Sequence, residues 1–151
     1  MKIIKVQRIS YSPGYGDMLG GGHSVSLRKD NEGNWNYISR DQEDHTSPTV
    51  TTVYAVSGEA VKELSEFISK KKIISLENRR DSDLFSTDYS PWSWNVDYET
   101  TSFGKTKIRY CALKEYKNYK SSDYELLKEL HERFYALKGE KISETVETEE
   151  E

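Results

Sequence analysis

Apolar and polar positions alternate along much of the N-terminal half of the chain. Residues 2–11, KIIKVQRISY, begin with a run rich in Ile and Val that predicts a strand. In HSVSLRK, His23, Val25 and Leu27 fall on one face, and Ser24, Ser26 and Arg28 on the other. DNEGN then supplies residues that tolerate the left-handed backbone of a tight turn, and Trp35 and Tyr37 resume the alternation. Residues 23–41 therefore predict a hairpin. Beyond the polar loop QEDHTSP, residues 49–56 (TVTTVYAV) are β-branched and aromatic and predict a fourth strand. Strands joined in sequence by turns and loops imply an antiparallel meander.

The period changes after Ser57. Ala60, Val61, Leu64, Phe67 and Ile68 follow helical spacing over residues 58 to about 72, with Ser57 as N-cap and Glu59 in the first turn. Lys70, Lys71 and Lys72 sit where the helix dipole favours cations, so they need no nucleic acid to explain them. Residues 75–91 show no clear period and are expected to be mostly irregular. Trp92, Trp94, Val96 and Tyr98 then alternate with polar neighbours, TTSFG turns the chain, and Thr106, Ile108 and Tyr110 share a face on the return: a second hairpin. Ser122 and Glu125 have the spacing of a capping box for a last helix. Its stripe is Tyr124, Leu127, Leu130, Phe134 and Leu137, and Gly139 is its expected C-terminal stop.

The expected architecture is α+β: an antiparallel sheet of about six strands with two amphipathic helices packed on one face. Residues 1–142 are expected to form one domain. Residues 143–151, with five glutamates and no basic residue, are expected to be a disordered acidic tail. A length of 151 residues suits one core and is short for two. Only 34% of residues are hydrophobic, but 18 aromatics, eleven of them tyrosine, add apolar area at the boundary of a thin core.

Charge and cysteine narrow the function classes. With 26 acidic and 22 basic residues the chain has no basic footprint for nucleic acid. Cys111 is the only cysteine, which leaves no intramolecular disulfide and no zinc-type cysteine pair. No apolar run approaches the roughly 20 residues of a membrane span, and the first residues lack the apolar core of a signal peptide. The expectation is a cytoplasmic protein that binds neither membrane nor nucleic acid and uses no cofactor or metal.

The glycine-rich stretch SPGYGDMLGGGH, residues 12–23, is the most conspicuous segment. It does not cradle a phosphate. A dinucleotide loop must open a helix, whereas here a strand follows, and a Walker loop needs Lys with Ser or Thr after its last glycine. Asp17 would also repel phosphate. The stretch is longer than a hairpin needs, so it is either a structural turn or a functional loop presenting Met18 and Leu19. Tyr15, Asp17, Met18 and Leu19 of the loop, with His23 and His45, are the candidate binding residues.

Each histidine also has a plain reading. His23 shares a face with Val25 and Leu27 as a half-buried strand-edge residue, and His131 lies in the apolar arc of the last helix. His45 sits near Asp41, Glu43 and Asp44, but at no spacing typical of a metal site. Cys111 falls on a strand and reads as packing rather than as a nucleophile. Trp92 and Trp94 could stack on a ligand, but their alternation favours the core. No G-x-S-x-G elbow or paired-acid motif is present, so no catalytic residue is assigned.

The succession YSPGYGDMLGGGHSVSL, DNEGNW, VYAVSGEAVKEL and TDYSPWSWNVDYE resembles a group of small Firmicutes-type bacterial proteins of unknown function that carry a glycine-rich first hairpin. The resemblance spans roughly residues 5–140. It implies an α+β domain and a bacterial source, and neither an activity nor a catalytic residue.

The sequence thus points first to a cytoplasmic binding or protein-interaction module for an unknown protein or small-molecule partner. One rival is a small hydrolase-like or ligand-binding enzyme built on His23, Asp17 and His45 around the glycine loop. A second is an immunity-type protein that neutralises a basic partner.

Overall fold

A computed structural model of the chain describes residues 4–13, 22–44, 46–80, 92–115 and 117–148. The first four strands follow the predicted meander: β1 (Ile4–Ser12), β2 (Gly22–Lys29), β3 (Trp35–Gln42) and β4 (Thr49–Val56). Helix α1 (Gly58–Lys70) and a 3₁₀ helix (Ile73–Asn78) lead to the hairpin of β5 (Ser93–Ser102) and β6 (Lys105–Lys114). Helix α2 (Ser121–Tyr135) and strand β7 (Lys141–Glu147) follow. All seven strands join one antiparallel sheet in the order β6-β5-β1-β2-β3-β4-β7.

Alternation along the strands decides which side is buried. Ile9 lies opposite Leu27 on β2 and Val96 on β5, and all three are fully buried. Tyr37 opposite Leu27, and Leu113 opposite Trp94, continue the same face in the two directions. Val61, Leu64 and Ile68 of α1 and Leu127, Leu130 and Phe134 of α2 complete this core. Each such side chain contributes about 1.5–3 kcal/mol when fully buried. Beside a β-bulge between Val6 and Arg8, the Val6 N–H donates to the Ser65 hydroxyl of α1 at 3.2 Å. That bond accounts for a serine among the buried residues of an apolar helix stripe. Ile108 and Tyr110, by contrast, stand exposed on β6, and Cys111 and Leu113 are its buried residues.

Local signals formed the structures they predicted where nothing distant intervened. The Asp30 carboxylate accepts the N–H groups of Glu32 and Asn34 across the β2–β3 turn, and Gly33 takes φ +86°. Ser57 caps α1 by accepting from the Ala60 N–H at 3.1 Å.

Five expectations need correction. Residues 75–78, part of the stretch expected to be mostly irregular, belong to the 3₁₀ helix, because Ile73 and Leu76 reach the core. Residues 81–91 lie outside the described residues. Helix α2 does not use Ser122 and Glu125 as its box. The Asp123 carboxylate accepts the Lys120 N–H at 2.9 Å and also takes Arg79 through Nε at 2.8 Å and Nη2 at 3.2 Å. Asp123 is only 4% exposed, and it occupies the place in the stripe expected of Tyr124, which is 48% exposed.

Gly139 is not the helix stop, since Ala136 already caps α2. Its N–H donates to the Ala55 carbonyl at 2.8 Å, and a Cβ at this position would stand 2.6 Å from that oxygen. Only glycine lets the chain pass so close to β4. The chain then pairs with β4, so residues 143–147 of the expected tail belong to a strand and the sheet has seven strands rather than six. Every β7 side chain is exposed. Backbone hydrogen bonding to the free edge of β4 needs no buried side chain, and for that reason composition concealed the strand. Among the described residues no helix is long and apolar enough to cross a membrane.

Candidate functional site

His23 and Asp41 stand directly opposite each other in the β2–β3 register. The Nδ1 of His23 is in hydrogen-bond contact with one Asp41 carboxylate oxygen, and the Ser39 hydroxyl donates to the other at 3.1 Å. Period two explains the grouping: Ser39 and Asp41 are two apart on β3, and His23 lies across from Asp41. The serine hydroxyl is thus spent on the carboxylate and not on the imidazole. A nucleophile–base–orienter series would need the serine on the histidine.

This pair borders a groove of about 380 Å³ between the β1–β4 part of the sheet and the C-terminal half of α2. The sheet contributes Tyr11, His23, Tyr37, Ser39 and Tyr54, and α2 with the residues after it contributes His131, Tyr135 and Lys138. His131 and Tyr135, one turn apart, line one side of α2, and Lys138 joins them from just beyond its end. His131 is exposed along the helix, but its ring meets Tyr11 edge-on at 5.1 Å and Trp94 at 6.1 Å. Tyr11 is stacked on Trp94 at 4.3 Å.

At the other end of the groove the Lys138 ammonium lies 3.7 Å from the Tyr135 ring centroid, 5.3 Å from that of Tyr54 and 5.8 Å from that of Tyr37. Burial pushes the Tyr37 hydroxyl up to about 12, helped by Tyr135, Tyr54 and the negative charge of Asp41. A second hollow, of about 250 Å³, adjoins the His23–Asp41 pair and is lined by Ser12, Gly22, Ser24, Arg40, Gln42 and Thr49.

Of the residues singled out in the sequence, His23 is placed in the wall of both cavities. Tyr15, Asp17, Met18, Leu19 and His45 lie outside the described residues. Pro13 and Gly22, near the two ends of the glycine-rich stretch, line the groove and the hollow respectively. Beside His45, the Asp44 carboxylate accepts from the hydroxyls and N–H groups of Thr46 and Ser47. These bonds, those of Thr46 above all, hold it down at about 2.

Trp94 is 2% exposed and belongs to the core, as its alternation predicted. Trp92 is half-buried and lies parallel to Tyr119 at 6.1 Å. Cys111 is 2% exposed, its Sγ is 3.7 Å from the Ile74 carbonyl oxygen, and burial followed by the charge of Glu77 pushes its thiol up. It is therefore a protonated packing residue. Among the described residues no three His, Cys, Asp or Glu side chains cluster closely enough to hold a metal ion.

Tyr37, Tyr54, Tyr135 and Lys138 were not among the sequence candidates. Tyr135 and Lys138 sit at helical spacing from His131, but Tyr37 and Tyr54 join them only through the β3–β4 register. No protein-family model, curated protein or solved structure matches this chain.

Proposed function

We propose that this chain is a cytoplasmic binding module, acting without a cofactor, whose small-molecule or side-chain ligand enters the tyrosine-lined groove beside His23. The reading includes an arrangement in which both helices cover one face of the sheet and the groove opens where that cover ends. The observation that carries it is the groove's size and lining together. About 380 Å³ lies within the usual range of ligand sites, and apolar ring faces are interspersed with a few convergent polar groups. Tyrosine suits such a wall, because it offers a rigid contact surface with a wet hydroxyl.

The test is a thermal-shift screen with small aromatic and charged compounds, followed by NMR mapping of the hits. A ligand at about a hundred times its Kd stabilises the fold by about 2.7 kcal/mol, which raises Tm by several degrees. Resonances of His23, His131 and Tyr54 should move together, and Ser39→Trp, which fills the groove, should remove the response. Hits that map elsewhere, or survive Ser39→Trp unchanged, would overturn the reading.

A further inference from the structure

Lys138 is the unusual member of the groove. Among the described residues no carboxylate pairs with its ammonium, which is turned instead toward the faces of Tyr135, Tyr54 and Tyr37. Ring faces carry the negative side of the aromatic quadrupole, so three of them around one point make a cation site. Toward the other end of the groove, the Asp41 carboxylate is held by His23 and Ser39, and its negative charge reaches Tyr37.

We infer that this is an organic-cation site, occupied by Lys138 in the resting protein, and that it accepts a methylated ammonium group in its place. The inference rests on the groove being a ligand site and names the chemical class of the ligand. A lysine ammonium is a compact, strongly hydrated charge, and turning it onto rings sacrifices part of that hydration. A trimethylammonium group spreads its charge over methyl surface, is weakly hydrated, and gains ring contact at smaller desolvation cost. It therefore competes well against the internal lysine. Lys138 follows the end of α2, where its backbone N–H has only a long bond of 3.5 Å to the Tyr135 carbonyl. Withdrawal of its side chain breaks no ion pair. Lys138 is thus an internal competitor that sets the threshold for ligand entry.

The experiment is an NMR titration of the full chain with tetramethylammonium chloride, choline, and the uncharged choline analogue bearing tert-butyl in place of trimethylammonium. Lys138→Ala should bind tetramethylammonium roughly ten-fold more tightly than the parent chain, and choline should bind roughly ten-fold more tightly than its uncharged analogue. Tyr135→Ala in the Lys138→Ala background should remove the gain. Lys138→Gln, which keeps most of the aliphatic stem, gives the same comparison if the alanine variant folds poorly. Equal affinity in parent and variants, or equal affinity for choline and its uncharged analogue, overturns the inference. If neutral aromatic compounds still move the groove resonances in that case, the cation assignment fails alone. If no compound of any charge moves them, the groove reading fails with it.

Discussion

Two aromatic groups meet at Tyr37 and solve opposite problems. On one side, Tyr37 touches Phe134 at 5.2 Å, and Phe134 meets Trp94 edge-on at 5.2 Å, with both Phe134 and Trp94 almost wholly buried. On the other side, Tyr37 meets Tyr54 at 6.0 Å, and the rings of Tyr54 and Tyr135 turn toward a charged ammonium near solvent. The first group is dry, and its value lies in apolar area and ring packing. The second keeps part of its surface wet, with Tyr135 59% exposed. A chain poor in aliphatic residues can therefore use one residue class for cohesion and for a site, and burial separates the two uses.

The largest effect that would break this comparison is Trp94→Ala. Losing a fully buried indole should cost about 3–5 kcal/mol in a denaturant titration. A near-neutral value would move Trp94 from the core group to the ligand wall.

Next in size is Asp123→Ala, which unlocks the start of α2 and so loosens the inner group alone. It removes a carboxylate that takes two bonds from Arg79 and one from Lys120, at a cost of about 2 kcal/mol. Trp94 fluorescence should change while the Lys138 ring contacts, followed by NMR, stay in place. A variant of unaltered stability would show that α2 is held by its stripe alone.

Alkaline pH probes Tyr37, the shared member. Its hydroxyl ionises at about 12 in the folded chain against an ordinary 10.0. The folded state thus keeps a proton that the unfolded state releases, so the stabilisation is whole below pH 10 and is lost as pH rises toward 12. Urea midpoints should fall between pH 9 and 11, and Tyr37→Phe should flatten part of that slope. A midpoint independent of pH would contradict the burial of this hydroxyl.

The smallest effect sharpens the comparison most. Tyr135→Ala, at an exposed position, should change stability by no more than about 0.5 kcal/mol. A loss of several kcal/mol would place Tyr135 in the cohesive group.

Legibility in the sequence followed the range of the forces. Helix α1 was readable from Ser57, Glu59 and the spacing of Val61, Leu64 and Ile68, all of which act within a few turns. The start of α2 was not, because Arg79, 44 residues from Asp123, decides which residue is drawn into the buried position. Alternation found β2, β3 and β5, and β-branched and aromatic composition found β4; the inner faces of these strands are buried. Neither could find β7, whose partner is the backbone edge of β4 and whose side chains touch solvent throughout. Of the candidate site, His23 was visible as a polar residue on an apolar face. The tyrosine group was hidden, since the register and helix that assemble it bring together residues from three elements.

The order of strands bears on how the sheet is assembled. β1 leaves the ribosome before the other described strands, yet it lies inside the sheet, between β2 and β5. The meander of β2 to β4 can form beside it early, but its other edge waits for Ser93–Ser102. During that interval the nascent chain carries an open hydrogen-bonding template along β1. Its side chains guard the template: Lys5 and Arg8 face Glu99 and Asp97 in the finished register. A second copy of β1 would meet like charge there, whereas the awaited strand brings the opposite sign. The pairing that closes the sheet is thereby favoured over association between unfinished chains.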